Sequence, residues 1–251
     1  MKEHAKKILI SDYDQTFYLN DDDIEKNKIA VKEFRKKENI FVIATGRSYD
    51  DFLRKAKEYN IKYDYLIINH GASILNEKDE IIYNFPIKNE TIKDINKDLI
   101  MNIPDIIFHA NNNAYRDINN KYFCCKEKLS RLDFNNSDLT KINIKLNSSE
   151  MTDKINKLIN DKYDSSVNCY KVSKDMIEII SKEINKSKAI KLLADYYNLD
   201  KKEIYTIGDG YSDIQMVKDY NGFAMKDSVK ELKIVAKKEY KSVSELINEL
   251  I

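Results

Sequence analysis

Residues 40–44 read Ile-Phe-Val-Ile-Ala, five apolar residues with no alternation. A strand with one wet face alternates polar and apolar positions, so a continuous run of this kind suits a strand covered on both faces, as in a parallel sheet. The pattern recurs in KKILISDYD, YDYLIINHGA and EIYTIGDGYSD, each an apolar run that ends in polar residues. Helical segments lie between these runs. Residues 24–38 carry Ile29, Val31 and Phe34 at helical spacing. Ser48 with Asp51 resembles a capping box and predicts a helix over 49–59. Ala189, Leu192, Leu193 and Tyr196 or Tyr197 mark one face of a helix over 187–198. Ser212 is placed to cap a helix over 213–219, and NGFAMKD reads as a fifth strand. Ser228 with Glu231 and Ser242 with Glu245 open two final helices. Alternating buried strands and helices predict an α/β fold, a doubly wound, Rossmann-like parallel sheet.

The middle of the chain breaks this rhythm. From about Tyr83 to Lys182 it reads as short strands, turns and two polar helices. FHANNNAYRD predicts a hairpin turning at Asn111-Asn112-Asn113. KINIKLN alternates Ile142, Ile144 and Leu146, which predicts a strand with one exposed face. MTDKINKLINDKY is an amphipathic helix, and SSVNCYKVS with DMIEIIS predicts a strand pair. The expected organisation is a core of residues 1–84 and 183–251 with an α+β insertion over 85–182, Pro86 standing near the crossing.

Charge narrows the function. The 251 residues hold 43 Lys+Arg and 42 Asp+Glu, a net charge of +1, and the two signs interleave as on solvated helix faces. That balance argues against nucleic acid as a partner, since such modules carry a basic stripe. No apolar run approaches the roughly 18 residues of a membrane span. MKEHAKKILI has no signal-peptide core, and Cys124, Cys125 and Cys169 make an odd count without metal-ligand spacing, so a reducing cytoplasm is the expected location. A monomer is expected, no long apolar stripe being left over. The chain has only five glycines, and Gly46, Gly71, Gly208, Gly210 and Gly222 all fall outside the insertion, at predicted strand ends.

Candidate chemistry collects at those ends. Asp12-Tyr13-Asp14-Gln15-Thr16 follows the first strand, and ligands of open α/β sheets bind beyond the carboxyl ends of strands. Two carboxylates there can divide the roles of nucleophile and proton donor, although the pattern by itself also fits a solvated turn. Thr45-Gly46-Arg47 follows the second run and offers a hydroxyl, an unhindered N–H and a guanidinium to phosphate oxygens, or simply turns the chain. Gly208-Asp209-Gly210-Tyr211-Ser212-Asp213 follows the fourth run, and paired acids in a tight turn suit Mg²⁺. Lys186 stands where the insertion returns to the core, a position from which it can offset those carboxylates.

In this order the four elements resemble the haloacid dehalogenase-like (HAD) superfamily of phosphohydrolases: D-x-D-x-T, then Thr-Gly-Arg, then a Lys, then G-D-x-x-x-D. About 20 residues separate Thr16 from the second run, and about 115 separate His70 from Lys186, so the insertion resembles a cap of the second (C2) type. Glu178-Ile179, followed after seven residues by Lys186, resembles the return segment of the Cof-type (IIB) subfamily. The resemblance spans essentially the whole chain. It implies a Mg²⁺-dependent phosphatase acting on small phosphorylated metabolites, sugar phosphates foremost, through an aspartyl-phosphate. It implies Asp12 as nucleophile, Asp14 as acid and base, and Thr45, Gly46 and Lys186 as phosphate-binding groups. It gives the metal to Asp12, Asp209 and the backbone carbonyl of Asp14, with Ser212 and Asp213 behind them. Arg47 and His70 are candidate substrate contacts, though a turn histidine satisfied by backbone is the plainer reading of His70. His109 and Arg116, in the insertion, read as surface residues.

The sequence departs from the family pattern at three places. Gln15 stands for the usual Gly after Asp14, Ser212 for the usual Asn, and His70 for the Asn of an Asn-Gly-Ala turn. None removes a catalytic group. Two alternatives stay open: a phosphomutase on the same fold, and an inactive ligand-binding protein.

Overall fold

The computed structural model describes residues 6–98, 105–116 and 127–251. Cys124 and Cys125 lie outside them. In chain order the first elements are β1 (Ile8–Ser11), α1 (Asp21–Lys36), β2 (Ile40–Ala44), α2 (Tyr49–Glu58), β3 (Tyr65–Ile68), β4 (Ser73–Asn76) and β5 (Ile81–Asn84). Next come α3 (Asn89–Asp98), β6 (Ile106–Ala110), β7 (Asn113–Arg116), β8 (Glu127–Lys128), β9 (Leu139–Lys145), α4 (Ser149–Tyr163), β10 (Val167–Ser173) and β11 (Met176–Ser181). The chain ends with α5 (Lys186–Tyr197), β12 (Ile204–Gly208), α6 (Ile214–Asp219), β13 (Asn221–Met225), α7 (Lys230–Val235), β14 (Glu239–Tyr240) and α8 (Val243–Leu250).

Two compact units result. One comprises residues 1–46, 55–82 and 185–251; the other comprises 47–54 and 83–184. The first is built on an eight-stranded sheet of order β14-β13-β12-β1-β2-β3-β4-β5. Its strands run parallel from β14 to β3, and β4 pairs antiparallel with β3. The α/β class and the parallel sheet expected from the apolar runs are therefore present. Ile8, Leu9, Ile10 and all of β2 are 3% exposed or less. Burying one such side chain contributes about 1.5–3 kcal/mol relative to leaving it in water.

Helix α1 begins earlier than the apolar spacing predicts. Asn20 accepts from the Asp23 amide at 3.0 Å and caps the helix, and Asp21, Asp22 and Asp23 complement its dipole. Its buried face holds Ile24, Ala30, Val31 and Phe34, while Ile29, expected among them, is exposed. Ser242 caps α8 by accepting from Glu245 N, as expected. Two of the other predicted caps differ. Helix α6 starts from Asp213 rather than Ser212, and α7 from Val229 rather than Ser228, neither through a side-chain cap.

The second unit carries a sheet of order β10-β11-β9-β6-β7-β8. Asn111 and Asn112, both at positive φ, turn the β6–β7 hairpin. One face, with Ile142, Ile144, Ile177 and Ile179, packs with Ile92 and Ile95 of α3 and Ile155 and Ile159 of α4. The opposite face corrects the sequence reading. Lys141 and Asn143 of β9 are buried, not exposed, because both side chains turn to Glu178 of β11, at 3.1 and 2.8 Å. His109 and Arg116, read as surface residues, are also buried. His109 pairs in register with Lys141, and Arg116 forms an ion pair with Asp105.

Candidate active site

Four neighbouring parallel strands end at the same edge of the first sheet. β12, β1, β2 and β3 run out respectively into Asp209, Asp12, Thr45 and the turn Asn69–Gly71. β1 is flanked by β2, the next strand in the chain, on one side and by β12, which follows α5, on the other, so this edge holds the crevice at which open α/β sheets bind ligands.

Asp12 is fixed by backbone. Its N–H donates to Ile207 O at 3.0 Å, and its own carbonyl accepts from the Ser11 hydroxyl at 2.7 Å. Because β1 stops at Ser11, Asp12 and Asp14 are placed by a turn and not by strand alternation. Tyr18 N donates to Tyr13 O at 2.8 Å, Gln15 N donates to Tyr18 O at 3.0 Å, and Gln15 itself takes a left-handed φ of 59°. Asp14 is half-buried in this turn.

Lys186 is the first residue of α5, whose cap Asn185 accepts from Lys188 N at 2.9 Å. Its side chain, 1% exposed, donates to Asp12 Oδ1 and to Asp213 Oδ1, each at 2.6 Å. The other oxygen of Asp213 accepts from the amides of Asp209 and Gly210 at 3.1 and 3.0 Å. Thr16 donates to Asp209 Oδ1 at 2.8 Å. Asp12, Lys186, Asp209 and Asp213 thus converge, with carboxylate oxygens of the three acids within 4.8 Å of one another.

The charges are strongly coupled to this burial. Burial holds the Asp12 carboxyl well above the usual carboxylate range; Lys186 opposes the shift, and Asp213 and Asp209 reinforce it. Burial also raises Asp209, with Asp213 adding to it and Thr16 working against it. Lys186 is pulled down by burial but pushed up further by the two carboxylates it touches, so it stays charged. With all three acids ionised, they outnumber this one ammonium by two negative charges, which a divalent cation matches. Asp213 already spends both oxygens, so Asp12 and Asp209 are the carboxylates suited to face a metal.

Thr45 and Gly46 follow β2, the strand paired with β1. Thr45 N donates to Ile67 O at 2.8 Å, and Thr45 O accepts from His70 N at 3.0 Å. A Cβ on Gly46 would stand 2.7 Å from His70 Nε2, so the imidazole lies against the glycine's α-carbon. Arg47 falls in the second unit, where its Nη1 pairs with Asp51 at 2.8 Å. Ser212 occupies the short 3₁₀ turn Tyr211–Asp213 and is half-buried.

Two residues were missed by sequence reasoning as parts of the site. Thr16 was only the last letter of a motif, yet its hydroxyl orients Asp209. Gly208 belongs to the motif read from the sequence but has no role of its own there, and a Cβ on it would lie 2.5 Å from Cβ of Asp213. Its spacing, five residues before Asp213, was the available signal.

A parallel sheet carrying buried, cation-bridged aspartates at its carboxyl edge defines the class, an open α/β protein with a charged site beyond its strand ends. The chain matches the model of the haloacid dehalogenase-like hydrolase family over residues 9–246, and it belongs to that family. A protein named "Putative phosphatase" in Buchnera aphidicola subsp. Baizongia pistaciae is 26% identical, with 97% of each chain covered. Another of that name in Haemophilus influenzae is 25% identical, covering 92% of this chain and 90% of its own. Among solved structures, a haloacid dehalogenase-like hydrolase from Bacteroides thetaiotaomicron superposes with a TM-score of 0.83 at 17% identity, covering 98% of this chain and 100% of its own. TM0651 from Thermotoga maritima gives 0.82 at 22% identity and 97% of each chain. The resemblance read from the four motifs is thus borne out. Among the described residues no helix is long and apolar enough to cross a membrane.

Proposed function

We propose that the protein is a Mg²⁺-dependent phosphatase of small phosphorylated metabolites, with sugar phosphates the favoured class. The observation that carries this reading is the Lys186 ammonium 2.6 Å from both Asp12 and Asp213, with Asp209 alongside. Relatives named as phosphatases support it.

A Mg²⁺ ion held by Asp12, Asp209 and the carbonyl of Asp14 would neutralise the excess charge and draw electron density from the phosphoryl group. The protein's own groups do the rest. Thr45, the Gly46 amide and Lys186 hold the phosphoryl oxygens. An Asp12 carboxylate oxygen attacks phosphorus in line, the ester P–O bond breaks, and the leaving alkoxide takes a proton from Asp14. Asp14, now a carboxylate, takes a proton from water as that water attacks the aspartyl-phosphate. Inorganic phosphate leaves and Asp12 is restored. Ser212 and Asp213 support the Asp209 turn, Asp213 also steadying Lys186. Residues 85–182 form the part of the chain that selects the substrate, and the protein acts as a cytoplasmic monomer.

The test is phosphate release across a panel of phosphorylated metabolites, with Mg²⁺ and with a chelator, for the wild type and Asp12→Asn. Release that needs Mg²⁺ and vanishes in Asp12→Asn is expected. Equal turnover in both proteins overturns the mechanism, and phosphate transfer within the substrate without release identifies a mutase.

A further inference from the structure

All three residues that follow β3 hold left-handed backbone, with φ of 51° at Asn69, 56° at His70 and 111° at Gly71. Such conformations are disfavoured for residues with a side chain and persist where the surroundings impose them, often at functional sites. Asn69 and His70 are also buried. The turn is gripped from two directions. On one side His70 N donates to Thr45 O at 3.0 Å, and its ring covers the α-carbon of Gly46. On the other, Gly71 comes so close to the start of α5 that a Cβ would lie 2.5 Å from both the carbonyl carbon and oxygen of Asn185, and 3.0 Å from Lys186 N. The Thr45–Gly46 loop and Lys186 reach the site from different elements, and this turn touches both.

We infer that Asn69–Gly71 is a positioning element that sets the two phosphate-binding elements relative to each other. The His70 ring fixes the Thr45–Gly46 loop. The bare α-carbon of Gly71 seats Asn185, and through it Lys186. His70 therefore acts through Gly46 rather than by touching substrate. The inference rests on the phosphatase reading only in taking phosphate as the ligand. It has a specific consequence. Gly46 lies outside the left-handed region, so its backbone admits alanine, and what obstructs a methyl there is the His70 ring. Removing that ring should make Gly46→Ala tolerable. His70→Gly suits the left-handed φ and is the variant to use.

The experiment is a double-mutant cycle on wild type, Gly46→Ala, His70→Gly and the double variant. It reads the affinity for inorganic phosphate by calorimetry in MgCl₂, kcat and KM on p-nitrophenyl phosphate, and the melting temperature. Gly46→Ala is expected to weaken phosphate binding about tenfold and to lower kcat/KM by up to about the hundredfold that an ångström of misplacement can cost in rate. The double variant is expected to bind as His70→Gly does. If the losses of the two single variants multiply in the double, the inference is overturned. Folding of the double where Gly46→Ala alone does not fold supports it. If neither folds, unchanged phosphate affinity and KM in both His70→Gly and His70→Asn overturns it, and a loss in both at unchanged melting temperature supports it. A wild type that binds phosphate but hydrolyses no phosphomonoester anywhere in the panel defeats the phosphatase reading and leaves the positioning role standing. A wild type that binds no phosphate overturns the positioning role.

Discussion

Lys186 and Asp213 form a buried ion pair, 2.6 Å from Nζ to Oδ1, in which the acid's second oxygen is held by the amides of Asp209 and Gly210. The pair ties the first turn of α5 to the loop after β12, and Lys186 extends the tie to Asp12.

Replacing Lys186 by methionine keeps the volume and removes the charge. Asp12 and Asp213, 10% and 2% exposed at the side chain, would then lose the cation that both touch. Breaking a buried pair by deleting one partner costs about 3–5 kcal/mol. Lys186→Met is expected to lose about that much stability by urea denaturation at neutral pH without metal, and to lose phosphate release as well. A loss below about 1 kcal/mol, the range of exposed pairs, would contradict the role given to this contact.

Thr16 reaches the proposed metal only through Asp209, to which it donates at 2.8 Å. Groups that orient metal ligands typically cost about 10–100-fold in metal affinity when removed. Thr16→Val keeps the shape and drops the hydroxyl, and burial would then act on Asp209 with less opposition. The Mg²⁺ concentration for half-maximal phosphate release is expected to rise by about 10-fold or more. Thr16→Ser should stay near wild type. An unchanged Mg²⁺ dependence in Thr16→Val would refute the assignment.

The parallel sheet was legible because its cause is local. The unbroken run Ile40–Ala44 has no polar residue to face water, and all five residues are buried. Lys141 and Asn143 were misread for a physical reason. A polar residue at alternate strand positions looks the same whether it meets water or a buried Glu178, and that partner lies 37 residues from Lys141. The start of α1 failed similarly, since Asp21-Asp22-Asp23 carries no apolar spacing and joins the helix only because Asn20 caps it. The site itself was legible as motifs but not as geometry. Asp12 and Lys186 are 174 residues apart, and no spacing rule joins them; the family resemblance did.

His109 makes the second unit acid-sensitive. Burial, with Lys141 adding to it and Glu178 and Asn143 opposing, lowers its pKa from 6.5 to about 3. The folded state thus holds a neutral imidazole where the unfolded chain takes a proton. Stability from this group is present above pH 6.5 and is lost progressively as the pH falls toward 3. Between pH 7 and pH 5 the loss is about 2 kcal/mol. Urea denaturation of His109→Gln should show a shallower acid limb than the wild type by about that amount. Parallel limbs would show that His109 already takes up protons in the folded state.

Metal and pH should act against each other at the site in the first unit. Burial raises Asp12 and Asp209 above their ordinary 3.8, so the metal-free folded state binds protons more tightly than the unfolded chain. For such groups stability is lost as the pH rises from the ordinary value through the raised one. A divalent cation needs the same carboxylates ionised and competes with those protons. The rise in melting temperature caused by MgCl₂ is therefore expected to be small at pH 5 and to grow toward pH 8. Other titrating groups act equally with and without metal and cancel in that difference. Asp209→Asn should abolish the rise at both pH values. A Mg²⁺ effect equal at the two pH values, or larger in acid, would mean that the ion binds elsewhere than at Asp12 and Asp209.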